Sequence, residues 1–110
     1  MARTKNPALD EAALKTALAQ RPGWTQKDKS IVRTVEAKTF PAGIALIDRV
    51  AQVAQAMDHH PDIFIAFNQV TFTLSTHDSG GITQLDLELA KSIDELAEKA
   101  GAKAPVPKAK

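Results

Sequence analysis

The hydrophobic periods along this chain predict an α+β domain of the pattern αββαββα, a four-stranded antiparallel sheet with three helices packed on one face. Three observations carry that expectation. A short helical stripe is stopped by Pro22-Gly23, two strand pairs flank a longer helix, and a well-capped helix closes the pattern. With 110 residues, the chain is expected to form one domain with a modest core that needs no disulfides. Residues 9–100 are assigned to that domain, 1–8 to a flexible N-terminal tail and 101–110 to a disordered Lys/Pro/Ala tail, where prolines block helix continuation and there is little apolar surface to bury.

Leu9, Ala13, Leu14, Ala17 and Leu18 recur at helical spacing and predict a helix over 9–20. Trp24, the only tryptophan, is expected to anchor this helix against the sheet, with a place beside a flat ligand as the alternative. The β-branched run 30–36 pairs with 24–27 across an Asp28-Lys29 turn. Phe40-Pro41 opens the longer helix, because proline suits a first helical turn, and Ile44, Ile47, Val50, Ala51, Ala54 and Met57 form its expected core stripe. Pro61 ends it by about Asp58, since the residue before proline avoids helical angles.

Residues 63–67 form an apolar strand, Asn68-Gln69 a turn, and 70–75 a strand that alternates apolar and hydroxyl residues. Parity turns Val70, Phe72 and Leu74 inward, and Thr71, Thr73, Ser75 and, if the strand reaches it, His77 outward. Thr83 then caps a helix, with Asp86 in an Asp variant of the capping box and Ile82 and Leu87 at the staple positions. Leu89, Ile93, Leu96 and Ala97 continue its apolar face to Gly101.

Composition narrows the function. The absence of cysteine excludes disulfides, thiolate zinc ligands and a cysteine nucleophile, and fits a cytoplasmic setting. No apolar run approaches the roughly 20 residues of a membrane span, and the start is not followed by a signal-peptide apolar region. A net charge of +1 makes no electrostatic case for direct nucleic-acid binding.

All three histidines fall between residues 59 and 77. Imidazole exchanges protons near neutral pH, so the cluster points to acid/base chemistry, with structural or incidental histidines as the alternative. His59 and His60 sit where the helix unwinds before Pro61, and His77 lies at the end of another strand, able to reach the same cleft from a different side. A metal site is the weaker reading. Asp58, Asp62 and Asp78 are competent ligands, but there is no helical His-x-x-x-His pair and adjacent histidines are not a usual chelating spacing. A Ser75 or Ser79 nucleophile lacks any marked oxyanion hole.

The run His59-His60-Pro61, five residues, Phe67, nine residues, His77, eight residues, Asp86 resembles the signature of the pterin-4a-carbinolamine dehydratases. The likeness extends to Gly23-Trp24, to the segment from Ile31 to Phe40, and to Thr76-His77-Asp78 followed by Gly80-Gly81-Ile82-Thr83, and covers roughly residues 9–100. It implies dehydration of 4a-hydroxytetrahydropterin to quinonoid dihydropterin, without metal or cofactor, in support of an aromatic amino acid hydroxylase. It also implies a homodimer or homotetramer, with a non-catalytic dimerisation cofactor of the same fold as the alternative. On this resemblance His59 and His77 exchange protons from either side of the pterin, and His60 positions the ring. Asp58 orients a histidine, Ser75-Thr76 pair through their backbone with the pterin edge, and Pro61 shapes the site. Asp86 is read as a helix cap before a chemical group. Where the family commonly has an acidic residue, four positions before the first histidine, this chain has Gln55, which can hydrogen-bond but carries no charge.

Overall fold

A computed structural model describes residues 7–105. The tail residues 1–6 and 106–110 lie outside it. The elements are α1 (Glu11–Ala19), β1 (Thr25–Lys27), β2 (Ser30–Glu36), α2 (Phe40–Met57), β3 (Asp62–Ala66), β4 (Gln69–Leu74), a 3-10 turn at His77–Ser79 and α3 (Gln84–Lys99). Four strands form one antiparallel sheet in the order β1-β2-β4-β3, so the expected αββαββα architecture is present.

Strand alternation decides which face is covered. Ile31, Val35, Val70, Phe72 and Leu74 are fully buried, whereas Val32, Thr34, Thr71 and Thr73, one residue out of phase, are only half-buried. The buried set meets Leu46, Val50 and Ala54 of α2 and Leu89, Ala90, Ile93 and Ala97 of α3 in a single core. On the opposite face the Thr34 and Thr71 hydroxyls bond each other at 2.8 Å.

Trp24 is buried and donates its indole N–H to Asp94 Oδ1 at 2.8 Å, as a core anchor between the first hairpin and α3. The same carboxylate accepts from Arg33 at 2.5 Å.

The α2 stripe differs from the expected one. Gly43, Leu46, Val50 and Ala54 are the buried positions, while Ile44 and Ala51 are exposed. Leu46, Val50 and Ala54 set the face turned to the core and Gly43 shares it, where a Cβ would stand 3.2 Å from Ile65 Cδ1 and 3.5 Å from Val70 Cγ2. Thr39 closes the helix start as its N-cap, accepting from Ala42 N–H at 3.1 Å.

The second hairpin is also displaced by one residue. Ala66 pairs with Gln69, so the turn is Phe67-Asn68 rather than Asn68-Gln69. Asn68 is held there by two bonds to Ala37: its side-chain amide donates to Ala37 O at 2.8 Å, and its own carbonyl accepts Ala37 N–H at 2.8 Å. Phe67 takes the left-handed conformation, φ 53°, and is 74% exposed. Beyond Gly101 the chain continues in register for a short stretch. Glu36 and Lys103 exchange backbone hydrogen bonds of 2.7 and 3.0 Å, which extend the edge of β2.

Candidate active site

The end of α2 determines where the histidine pair goes. Asp58 adopts left-handed angles, φ 52° and ψ 42°. Its N–H reaches Gln55 O at 3.1 Å, and His59 N–H reaches Ala54 O at 3.0 Å. Those two bonds make a Schellman end, with aspartate in the place glycine more often fills. The sharp bend therefore lies at Asp58, one residue before the pair, and Pro61 prevents any return to helix. As the chain swings across the helix end, His59 is turned inward and is 8% exposed, while His60 is turned outward.

Asp86 meets His59 there. It belongs to the first turn of α3 and is completely buried. One carboxylate oxygen accepts His59 Nε2–H at 2.6 Å. The other accepts Thr83 N–H at 2.9 Å and the Thr76 hydroxyl at 2.8 Å. Three donors on two oxygens offset the cost of burying the group, which acts purely as an acceptor.

The protons in this network can be followed in one direction. Thr76 spends its single hydroxyl proton on Asp86, so in the 2.8 Å contact between Thr76 Oγ1 and Thr83 Oγ1 it is Thr83 that donates. Thr83 Oγ1 in turn accepts Leu85 N–H at 3.2 Å. His59 must present N–H at Nε2, which in the neutral ring puts the lone pair on Nδ1.

Thr76 also ties His77 to this network. Its backbone exchanges bonds with Gly81 of 2.9 and 3.3 Å, closing the loop 76–81 at its neck. Gly80, at φ 73°, turns the chain and donates to His77 O at 3.0 Å. His77 therefore opens a 3-10 turn and does not continue β4; it is exposed, as parity anticipated, but on a loop rather than a strand. Ser75 and Pro61 are half-buried. His60 Nε2 lies 2.9 Å from Gln55 Oε1.

The capping box expected of Thr83 and Asp86 is present. Its second role, holding His59, is what the sequence reading passed over. One signal for it exists: Asp86, Leu89, Ile93 and Ala97 follow the helical period, so the buried stripe of α3 begins on a carboxylate. A buried carboxylate requires partners, and Thr76, Thr83 and His59 are those partners. Among the described residues no group of three His, Asp or Glu side chains is placed to hold a metal ion.

Fold and site together define a small α+β protein built around a carboxylate-held histidine, with two further histidines at the same end of the sheet. The chain belongs to the pterin-4a-carbinolamine dehydratase family, whose pattern, described as Pterin 4 alpha carbinolamine dehydratase, matches residues 7–96. A relative from Nocardia farcinica is 54% identical over 89 residues, 81% of this chain and 94% of its own. Another from Chloroflexus aurantiacus is 49% identical over 90 residues, 82% and 97% of the two chains. Both names assign the dehydratase activity provisionally. In three dimensions the chain is similar to a transcriptional coactivator/pterin dehydratase from Brucella melitensis, with a TM-score of 0.79 and 34% identity over 82% of this chain and 98% of that one. A pterin dehydratase-like RuBisCO assembly factor of the alpha-carboxysome shares the fold, with a TM-score of 0.56 and 20% identity over 67% and 86%.

Proposed function

We propose that the chain dehydrates 4a-hydroxytetrahydropterin to quinonoid dihydropterin by histidine acid/base chemistry. The observation that carries this reading is the buried Asp86–His59 contact, wired through Thr76 to the loop that bears His77. In the reaction a ring N–H gives up its proton, and that electron pair forms a C=N bond to C4a. The C4a–O bond breaks as the oxygen takes a proton, and water leaves. Hydroxide is a poor leaving group, so positioned proton donors and acceptors lower the barrier, each by about 10²–10⁴-fold in rate.

His59 and His77 are assigned the two proton transfers. Asp86 holds His59 by Nε2 and so aims Nδ1 as the working nitrogen. Exposed His77 completes the pair from the loop, and His60 positions the ring. The backbone of Ser75-Thr76 offers its polar groups to the pterin edge, and Pro61 and Asp58 shape the wall through the helix-end turn. The chain works in the cytoplasm as a homodimer or homotetramer, downstream of an aromatic amino acid hydroxylase.

A second reading is a protein-binding role, favoured by the large apolar rings of Phe64 and Phe67, 66% and 74% exposed around the second hairpin. The two readings separate with purified carbinolamine. As a dehydratase, the chain accelerates water loss at catalytic concentration and His59→Ala or His77→Ala lowers the rate by about 10²–10⁴-fold. As a pure scaffold, it leaves the spontaneous rate unchanged.

A further inference from the structure

Gln55 lies in the last turn of α2, and two of its atoms act on the histidine pair. Its backbone carbonyl accepts Asp58 N–H at 3.1 Å, which sets the turn that delivers the pair. Its side-chain Oε1 stands 2.9 Å from His60 Nε2. A carbonyl oxygen only accepts, so His60 donates through Nε2–H, and in the neutral ring its lone pair lies on Nδ1. Both side chains are exposed, so it is this bond rather than burial that fixes the ring. A carboxylate at residue 55 could accept the same N–H but would add a negative charge. The amide supplies orientation alone.

His59 is held in the same sense, by Nε2 on Asp86. The two adjacent imidazoles, turned to opposite sides by the helix-end bend, are thus both anchored at Nε2. We propose that Gln55 is a positioning residue that, through His60, presents Nδ1 as a hydrogen-bond acceptor, so that this site selects an N–H edge on the flat ring it binds. The identity of that ring rests on the dehydratase reading; the proton placement on His60 does not.

The test is long-range proton–nitrogen correlation NMR on the full chain carrying ¹⁵N-histidine, at a pH where His60 is neutral, with turnover measured in parallel. In the wild type, His60 is expected to carry its proton at Nε2. On addition of 7,8-dihydropterin the Nδ1 resonance should shift while remaining unprotonated. Gln55→Leu, which removes the acceptor, should bring the two ring nitrogens towards averaged signals and raise KM about fivefold, the equivalent of one hydrogen bond, with a smaller change in kcat. Gln55→Glu, which keeps an acceptor, should restore the anchored signals. A wild-type His60 protonated at Nδ1, or signals identical in Gln55→Leu, would overturn the proposal. An inactive wild type that still shows His60 protonated at Nε2 and anchored by Gln55 would count against dehydration and in favour of the placement.

Discussion

Replacing Asp86 by asparagine tests the site with almost no change of shape. The new amide has one acceptor oxygen where the carboxylate had two. Thr83 N–H and the Thr76 hydroxyl, at 2.9 and 2.8 Å, both point at Oδ2. The oxygen is expected to stay with that pair, which turns the NH2 group towards His59 Nε2, now 2.6 Å from Oδ1. An NH2 group can only donate, so His59 must accept at Nε2 and move its own proton to Nδ1. The nitrogen assigned to proton transfer is then blocked. Hydrogen bonds to a charged group contribute about 1.5–3 kcal/mol and neutral ones about 0.5–1.5, so the exchange should cost about 2 kcal/mol. For a domain of this size that lowers Tm by about 8 °C and leaves it folded at 25 °C. Turnover should fall much further, by about 10²–10⁴-fold, the contribution of one acid/base group. The assays are a circular dichroism melt and absorbance-monitored dehydration of purified carbinolamine. A variant that melts lower but turns over within threefold of wild type would refute the coupling of Asp86 to proton transfer.

Thr76→Val removes a hydroxyl but keeps the shape, leaving the Thr83 hydroxyl proton without its acceptor and Asp86 short of one donor. It should cost about 1–3 kcal/mol by urea denaturation, with Thr76→Ser recovering most of it. Gly43→Ala should be mildly stabilising, by about 0.5 kcal/mol. The gain in helix propensity outweighs the few tenths of an ångström by which the terminal methyl of half-buried Ile65 must give way. Asp94→Ala strands the Trp24 indole N–H and leaves Arg33 without this carboxylate. A loss of about 2–4 kcal/mol is expected, read through the emission of the single tryptophan.

The fold was legible wherever one face of a period meets water and the other meets the core. The alternation of 70–75 and the capping chemistry of Thr83-x-x-Asp86 each had one solution, and the structure has it. Legibility failed where a small residue outranks a large one. In α2 the apolar count favoured Ile44 and Ala51, yet the helix buries the face of Leu46, Val50 and Ala54, and Gly43 rather than Ile44 lies on it. The turn at Phe67-Asn68 was missed for a related reason. An aromatic at positive φ is disfavoured locally, and the two bonds from Asn68 to Ala37, about 30 residues away in sequence, hold it together with the Ala66–Gln69 pairing.

Spacing picked out the candidate residues, but not their wiring. Asp58 lies next to His59 in sequence and was given the orienting role; Asp86, 27 residues on, is the carboxylate that reaches the imidazole. The left-handed turn at Asp58 is what carries His59 to the start of α3, a path that sequence adjacency does not reveal.

The central claim is that His59 and His77 together move the protons of dehydration. The most direct measurement is the rate of water loss from purified 4a-hydroxytetrahydropterin with wild type, His59→Ala, His77→Ala and the double variant, each shown to be folded by circular dichroism. Wild type is expected to accelerate the reaction at catalytic concentration, and each single variant to lose about 10²–10⁴-fold. A folded double variant that retains the wild-type rate, or a folded wild type that leaves the spontaneous rate unchanged, would contradict it.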